Sequence, residues 1–149
     1  MNVELFLNAI SGYVSANYAA FPLTIANKII NWQYYAPIAQ KRYEELKQNM
    51  GTLRDYADQR NLTGTNKIIA LGLLEEGEHA KEEWEKWTLP WSSKAAIDID
   101  RIINFMKASL SPEFYAAQMG AAAGKIEAEL LHLLTNAPLR IPSVYNRRR

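Results

Sequence analysis

Residues 39–60, AQKRYEELKQNMGTLRDYADQR, decide the fold class. Ala39, Tyr43, Leu46, Met50, Leu53 and Ala57 recur at alternating steps of four and three, the spacing of one side of an α-helix; a strand would alternate at two. Most of the residues between them are charged or amide-bearing, as on the solvated side of a helix. The pattern extends back to about residue 23, but Pro37 interrupts it. Proline has no N–H to give and its ring crowds the preceding turn, so this second helix is expected to be kinked or broken there.

Outward from that stretch the same period recurs. Residues 2–20 place Val3, Leu7, Ile10, Val14 and Tyr18 on one stripe, and Phe21-Pro22 ends the helix. Thr63-Gly64-Thr65 supplies a turn and an N-cap for a third helix to about Trp87, with Ile69, Leu73, Glu76, Ala80, Trp84 and Trp87 along one side. Leu89-Pro90 stops it. Ser92 or Ser93 caps a fourth helix carrying Ala95, Ile99, Ile102 and Met106. Ser111-Pro112-Glu113 gives a fifth its cap, its first-turn proline and its first acidic residue. That helix ends near Asn136-Ala137-Pro138. The expectation is an all-α bundle of about five helices over residues 1–138, the second kinked at Pro37, followed by an extended basic tail over residues 139–149.

Composition narrows the chemistry. At 149 residues the chain has the size of one domain, and with no cysteine it has neither disulfides nor thiol chemistry. Its 17 basic and 16 acidic side chains give a net charge of +1, so attraction to nucleic acid would need a local patch. The start, MNVELFLNAI, lacks the basic region and cleavage site of a secretory signal, which points to a cytoplasmic, intracellular or virion-enclosed protein. There is no Gly-rich phosphate loop and no Gly-x-Ser-x-Gly turn. Trp32, Tyr34 and Tyr35, with Lys28 and Lys41 nearby, are candidates for stacking a base or ligand, and equally for core or interface.

Both histidines follow a glutamate by three positions, in Glu76-Gly77-Glu78-His79 and Glu129-Leu130-Leu131-His132. That spacing sets carboxylate and imidazole a turn apart on one helix face. Glu45 and Asp98 each stand 31 positions before the glutamate of a motif. The pattern resembles the ferritin-like di-metal carboxylate proteins. The resemblance implies a four-helix bundle holding two iron or manganese ions, with Glu45, Glu76, His79, Asp98, Glu129 and His132 as ligands and oxidase or oxygenase activity. Such a site requires the two motif helices to run antiparallel and to bring His79 and His132 to one depth.

The distribution of charge points elsewhere. No charged residue occurs for 23 positions from Leu5 to Asn27. Pro22 and several Asn and Ser argue against a membrane span, so the segment reads as a helix covered by protein, with Leu7, Ile10, Val14 and Tyr18 at a subunit interface. Between residues 114 and 124 no charge occurs either, and Gly120 and Gly124 lie on a small-residue face that admits a close helix. Residues 75–86 carry six glutamates and two lysines, while Arg140, Arg147, Arg148 and Arg149 make the C-terminus basic. Those arginines suit an acidic protein surface or nucleic acid. The leading expectation is a non-enzymatic structural or assembly protein without cofactor or membrane partner. It would form homo-oligomers through uncharged helices and a basic tail, as a virion or filament subunit does.

Overall fold

The computed structural model describes residues 7–8, 23–60, 62–88, 104–105 and 107–136. Three long helices account for most of them: α1 (Leu23–Arg60), α2 (Gly64–Thr88) and α3 (Pro112–Asn136). The class is all-α and the architecture a helical bundle, but three long helices, not the expected five, are present among the described residues. The helices expected at 2–20 and across most of 92–108, and the tail, lie outside the described residues. Short helical pieces occur at 104–105 and 107–108.

The second correction concerns Pro37. The helix does not break there: α1 continues through it for 38 residues. Ala36 and Ala39, on either side, are fully buried while Pro37 faces outward. The lost backbone bond therefore falls on the solvent side. Packing of the inner face on both flanks, from Ile29 and Trp32 to Tyr43 and Leu46, offsets the lost bond and keeps the helix continuous.

The α1 core residues are Ile29, Trp32, Ala36, Ala39, Tyr43, Leu46, Met50 and Leu53, an unbroken alternation of three and four. Tyr115, Met119, Ala122, Ile126 and Leu133 continue that spacing on α3. A repeat of 3.5 residues keeps one seam of each helix against its neighbours along the whole length. α1 packs most extensively on α3. Asn49 Nδ2 donates to the Ala123 carbonyl at 3.1 Å and Tyr56 Oη to that of Leu133 at 3.3 Å, so these two helices run parallel.

α2 runs antiparallel to both. Its Trp84 donates Nε1–H to Gln40 at 3.1 Å, and its Gly77 lies against Met50, a pairing in which α2 descends as α1 ascends. The turn joining them is closed by the Leu62 amide, which bonds the Ala57 carbonyl at 3.2 Å, and by Gly64 at a φ of 62°, the left-handed region that glycine occupies without strain. α3 starts as expected: the Phe114 amide donates to Ser111 Oγ at 3.3 Å, ahead of which Pro112 and Glu113 fill the first turn.

One end of the core is aromatic. The Trp32 and Trp84 indoles stack with centroids 5.9 Å apart and planes 9° from parallel. Phe105 tilts against Trp32 at 5.0 Å and Tyr115 against Trp84 at 5.5 Å. The tyrosine hydroxyl is pushed up to about 12 in pKa, chiefly by burial.

Further along, the core narrows at Gly77. A Cβ there would lie 2.9 Å from Met50 Sδ and 3.4 Å from Ile126 Cδ1, so the glycine is what lets α1 and α3 approach α2. At Gly72 a Cβ meets nothing within 4 Å. In urea unfolding, Gly72→Ala is expected to raise stability by about 0.5–1 kcal/mol through helix propensity. Gly77→Ala should instead cost about 1–3 kcal/mol by overpacking a core methionine. Equal stabilisation by both would contradict the close packing.

Candidate functional site

α2 carries the acidic residues and the first Glu-x-x-His motif. Its core seam is Ala70, Leu73, Gly77, Ala80, Trp84 and Trp87. The expected seam holds at Leu73, Ala80, Trp84 and Trp87 and shifts by one residue at two positions: Ala70 is buried in place of Ile69, which is 39% exposed, and Gly77 in place of Glu76. Glu76 lies on the outer side, where its carboxylate accepts from Lys125 Nζ of α3 at 2.8 Å. His79 is exposed a turn further on.

The second motif is on α3. The contacts Trp84–Tyr115, Glu76–Lys125 and Gly77–Ile126 show α2 and α3 antiparallel, as a two-fold metal site requires. Depth fails the requirement. In this register His132 lies at the level of Ile69, about ten residues and so roughly 15 Å along the axis from His79. His132 is exposed like His79.

Glu45 is held within its own helix by Arg42 at 2.8 Å. Asp98 lies outside the described residues. Among the described residues no three His, Asp or Glu side chains come together as a group able to hold a metal ion. Glu129 is the exception to an otherwise solvated set: its Oε2 is sealed from water and has no hydrogen-bond partner. A lone shielded carboxylate oxygen costs stability unless something satisfies it.

The polar seam between α1 and α2 was not anticipated from sequence. Tyr43, 5% exposed, donates a short hydrogen bond to Glu85. Burial first, then that bond and the charges of Glu85, Glu44 and Glu78, push its hydroxyl well above the usual phenol range. Lys81 sits 3.2 Å from Glu78 and 3.9 Å from Glu85, and Lys47 lies 4.9 Å from the Tyr43 ring centroid. Each group has a partner in the seam, and the arrangement ties two helices together. A tyrosine held protonated is a hydrogen-bond donor, not a base.

The expected interface residues separate. Leu7 is half-buried and packs against the core of its own chain, while Ile10, Val14 and Tyr18 lie outside the described residues. Gly120 is half-buried beside Arg42, whose Cδ would be 3.8 Å from an added Cβ, so it serves the α1–α3 seam. Gly124 is exposed, with open space above it. Arg140, Arg147, Arg148 and Arg149 lie outside the described residues. The aromatic trio divides as well: Trp32 is core, Tyr35 half-buried and Tyr34 61% exposed.

At the α1–α2 turn Ala57, Leu62, Ala70 and Leu71 line a shallow hollow rimmed by Asp58 and Lys67. No helix of the described residues is long and apolar enough to cross a membrane. No protein-family model, characterised protein or solved structure matches the chain.

Glu129→Leu provides a direct test of the sealed carboxylate. Its replacement is expected to raise the unfolding free energy by about 1–3 kcal/mol, equally with and without added iron or manganese. A variant less stable than the parent only when metal is present would show instead that the carboxylate holds an ion.

Proposed function

We propose that the chain is a non-enzymatic structural or assembly protein that acts by self-association, as a virion or filament subunit does. The observation that carries this reading is the outward placement of large apolar side chains around a bundle whose own core is already filled. Tyr34, Ile68 and Leu131 are 61%, 72% and 67% exposed, on α1, α2 and α3 respectively. Scattered single exposures are ordinary in monomers. Here they recur on all three helices, while His79, His132 and Glu76 of the motifs face solvent. Such surfaces gain by being covered.

Charge gives the association a direction. Residues 75–86 of α2 are net acidic by four charges, six glutamates against two lysines, with Glu75, Glu76 and Glu82 on the exposed side. The C-terminal arginines of a neighbouring copy would complement it through bidentate guanidinium–carboxylate pairs. Nucleic acid is the other polyanion those arginines suit.

Sedimentation velocity across a concentration series tests the reading. The full chain is expected to associate reversibly, and removal of Arg147 to Arg149 to weaken association, with the difference shrinking as salt rises. A 17.0 kDa monomer at every concentration would exclude the assembly reading. Metal analysis of the same protein produced with iron and manganese addresses the competing di-metal oxidase or oxygenase: two bound ions per chain would favour it over assembly.

A further inference from the structure

α1 carries charges throughout its second half, but before Lys41 its only charged residue is Lys28. Residues 29–40, IINWQYYAPIAQ, carry no charged side chain. On the outer side of this stretch Ile30, Tyr34 and Ile38 stand at 44%, 61% and 42% exposure. They are spaced i, i+4 and i+8, which makes them one continuous ridge on the helix surface. The inner side of the same turns is occupied by Ile29, Trp32, Ala36 and Ala39, all buried, so the ridge cannot turn inward without emptying the core.

From this ridge we infer that a second copy of the chain docks on the first through α1, the two helices antiparallel about a two-fold axis passing beside Tyr34. The inference rests on the self-association reading and specifies where it occurs. The ridge is a palindrome, isoleucine, tyrosine, isoleucine at equal intervals. Antiparallel pairing about its centre sets Ile30 against Ile38 of the second copy and Tyr34 against its own equivalent, the self-complementarity that a two-fold contact needs.

The flanking charges fit the same axis. Lys41 falls opposite Asn27, and Lys28 opposite Gln40, so no like charges meet across the seam. Lys28 is already engaged with the Ser109 carbonyl at 2.9 Å. Pro37 contributes too, since its ring is presented outward beside the ridge and adds apolar surface where a charged residue would obstruct a partner. A three-turn helix contact is at the small end of specific interfaces, so the pairing is reversible and depends on concentration.

The absence of cysteine from the chain makes the geometry testable by single substitutions. Tyr34→Cys, Ile30→Cys and Ile38→Cys are each oxidised under mild conditions in otherwise unaltered full-length protein, after circular dichroism shows unchanged helicity. Tyr34→Cys is expected to form a disulfide-linked dimer in high yield. Ile30→Cys and Ile38→Cys alone should remain largely monomeric, because equivalent positions lie about 12 Å apart along the paired axes, beyond disulfide reach. Mixed together, those two variants should cross-link to each other.

Equal cross-linking by all three, or none by Tyr34→Cys, would overturn the inference. If the parent chain associates in sedimentation but Tyr34→Cys does not cross-link, self-association stands and this interface falls. If the parent is a monomer throughout, both fall.

Discussion

The parallel stack of Trp32 on Trp84 is the contact on which the rest of the bundle depends. It joins α1 to α2 at one depth, and because both rings are fully buried neither can shift without opening the core. Tyr115 closes on Trp84 and Phe105 on Trp32, which brings the start of α3 and the segment before it to the same end. With the registers set there, the 3.5-residue repeat carries the three seams away from the stack in step. Gly77 then accepts Met50 and Ile126 where a larger residue would force the helices apart. The hydrogen bonds of Asn49 and Tyr56 to α3 carbonyls are consequences of that register, since each reaches a carbonyl only at one relative height.

This construction also explains what faces outward. Once the seam residues are committed, the motif side chains Glu76 and His79 must lie on the solvated side of α2, and the antiparallel register leaves His132 about 15 Å from His79 along the axis. The polar groups that do enter the interface between α1 and α2 are Tyr43, Gln40 and Glu85, with Lys81 half-buried beside them. Their hydrogen bonds join α1 to α2. The apolar ridge of α1 lies opposite the Trp32 side of the same helix, so the stacking that orders the core is what turns Ile30, Tyr34 and Ile38 outward.

Much of the fold was legible in the amino-acid order, and the misreadings have local causes. The α1 seam from Ala39 to Leu53 was read residue for residue, because apolar and charged positions there scarcely mix. The Ser111-Pro112-Glu113 start of α3 was equally readable, since cap and proline chemistry act within one turn. Pro37 misled because its penalty is local whereas the burial that overrides it, at Trp32, Ala36 and Tyr43, is spread over the helix. On α2 the seam at Leu73, Ala80, Trp84 and Trp87 is legible, but Glu76 stands in for Gly77 because glycine gives no hydrophobic signal: Gly77 is a core position only by virtue of what packs on it. The candidate metal residues were visible as spacing alone. Spacing along a chain says nothing about the depth at which two helices meet, and the pairing of Tyr43 with Glu85 across 42 residues leaves no sequence signature at all.

The three-helix core leaves the apolar ridge of α1 facing outward, where we propose that a second copy covers it. Small-angle X-ray scattering on an absolute scale, over a dilution series, measures this most directly because it reports particle mass and shape without a label. The account predicts a mass that climbs from 17.0 kDa toward twice that value with concentration, with a particle broadened across rather than lengthened along the helices. A constant monomer mass with an unchanged pair-distance distribution at every concentration would contradict it.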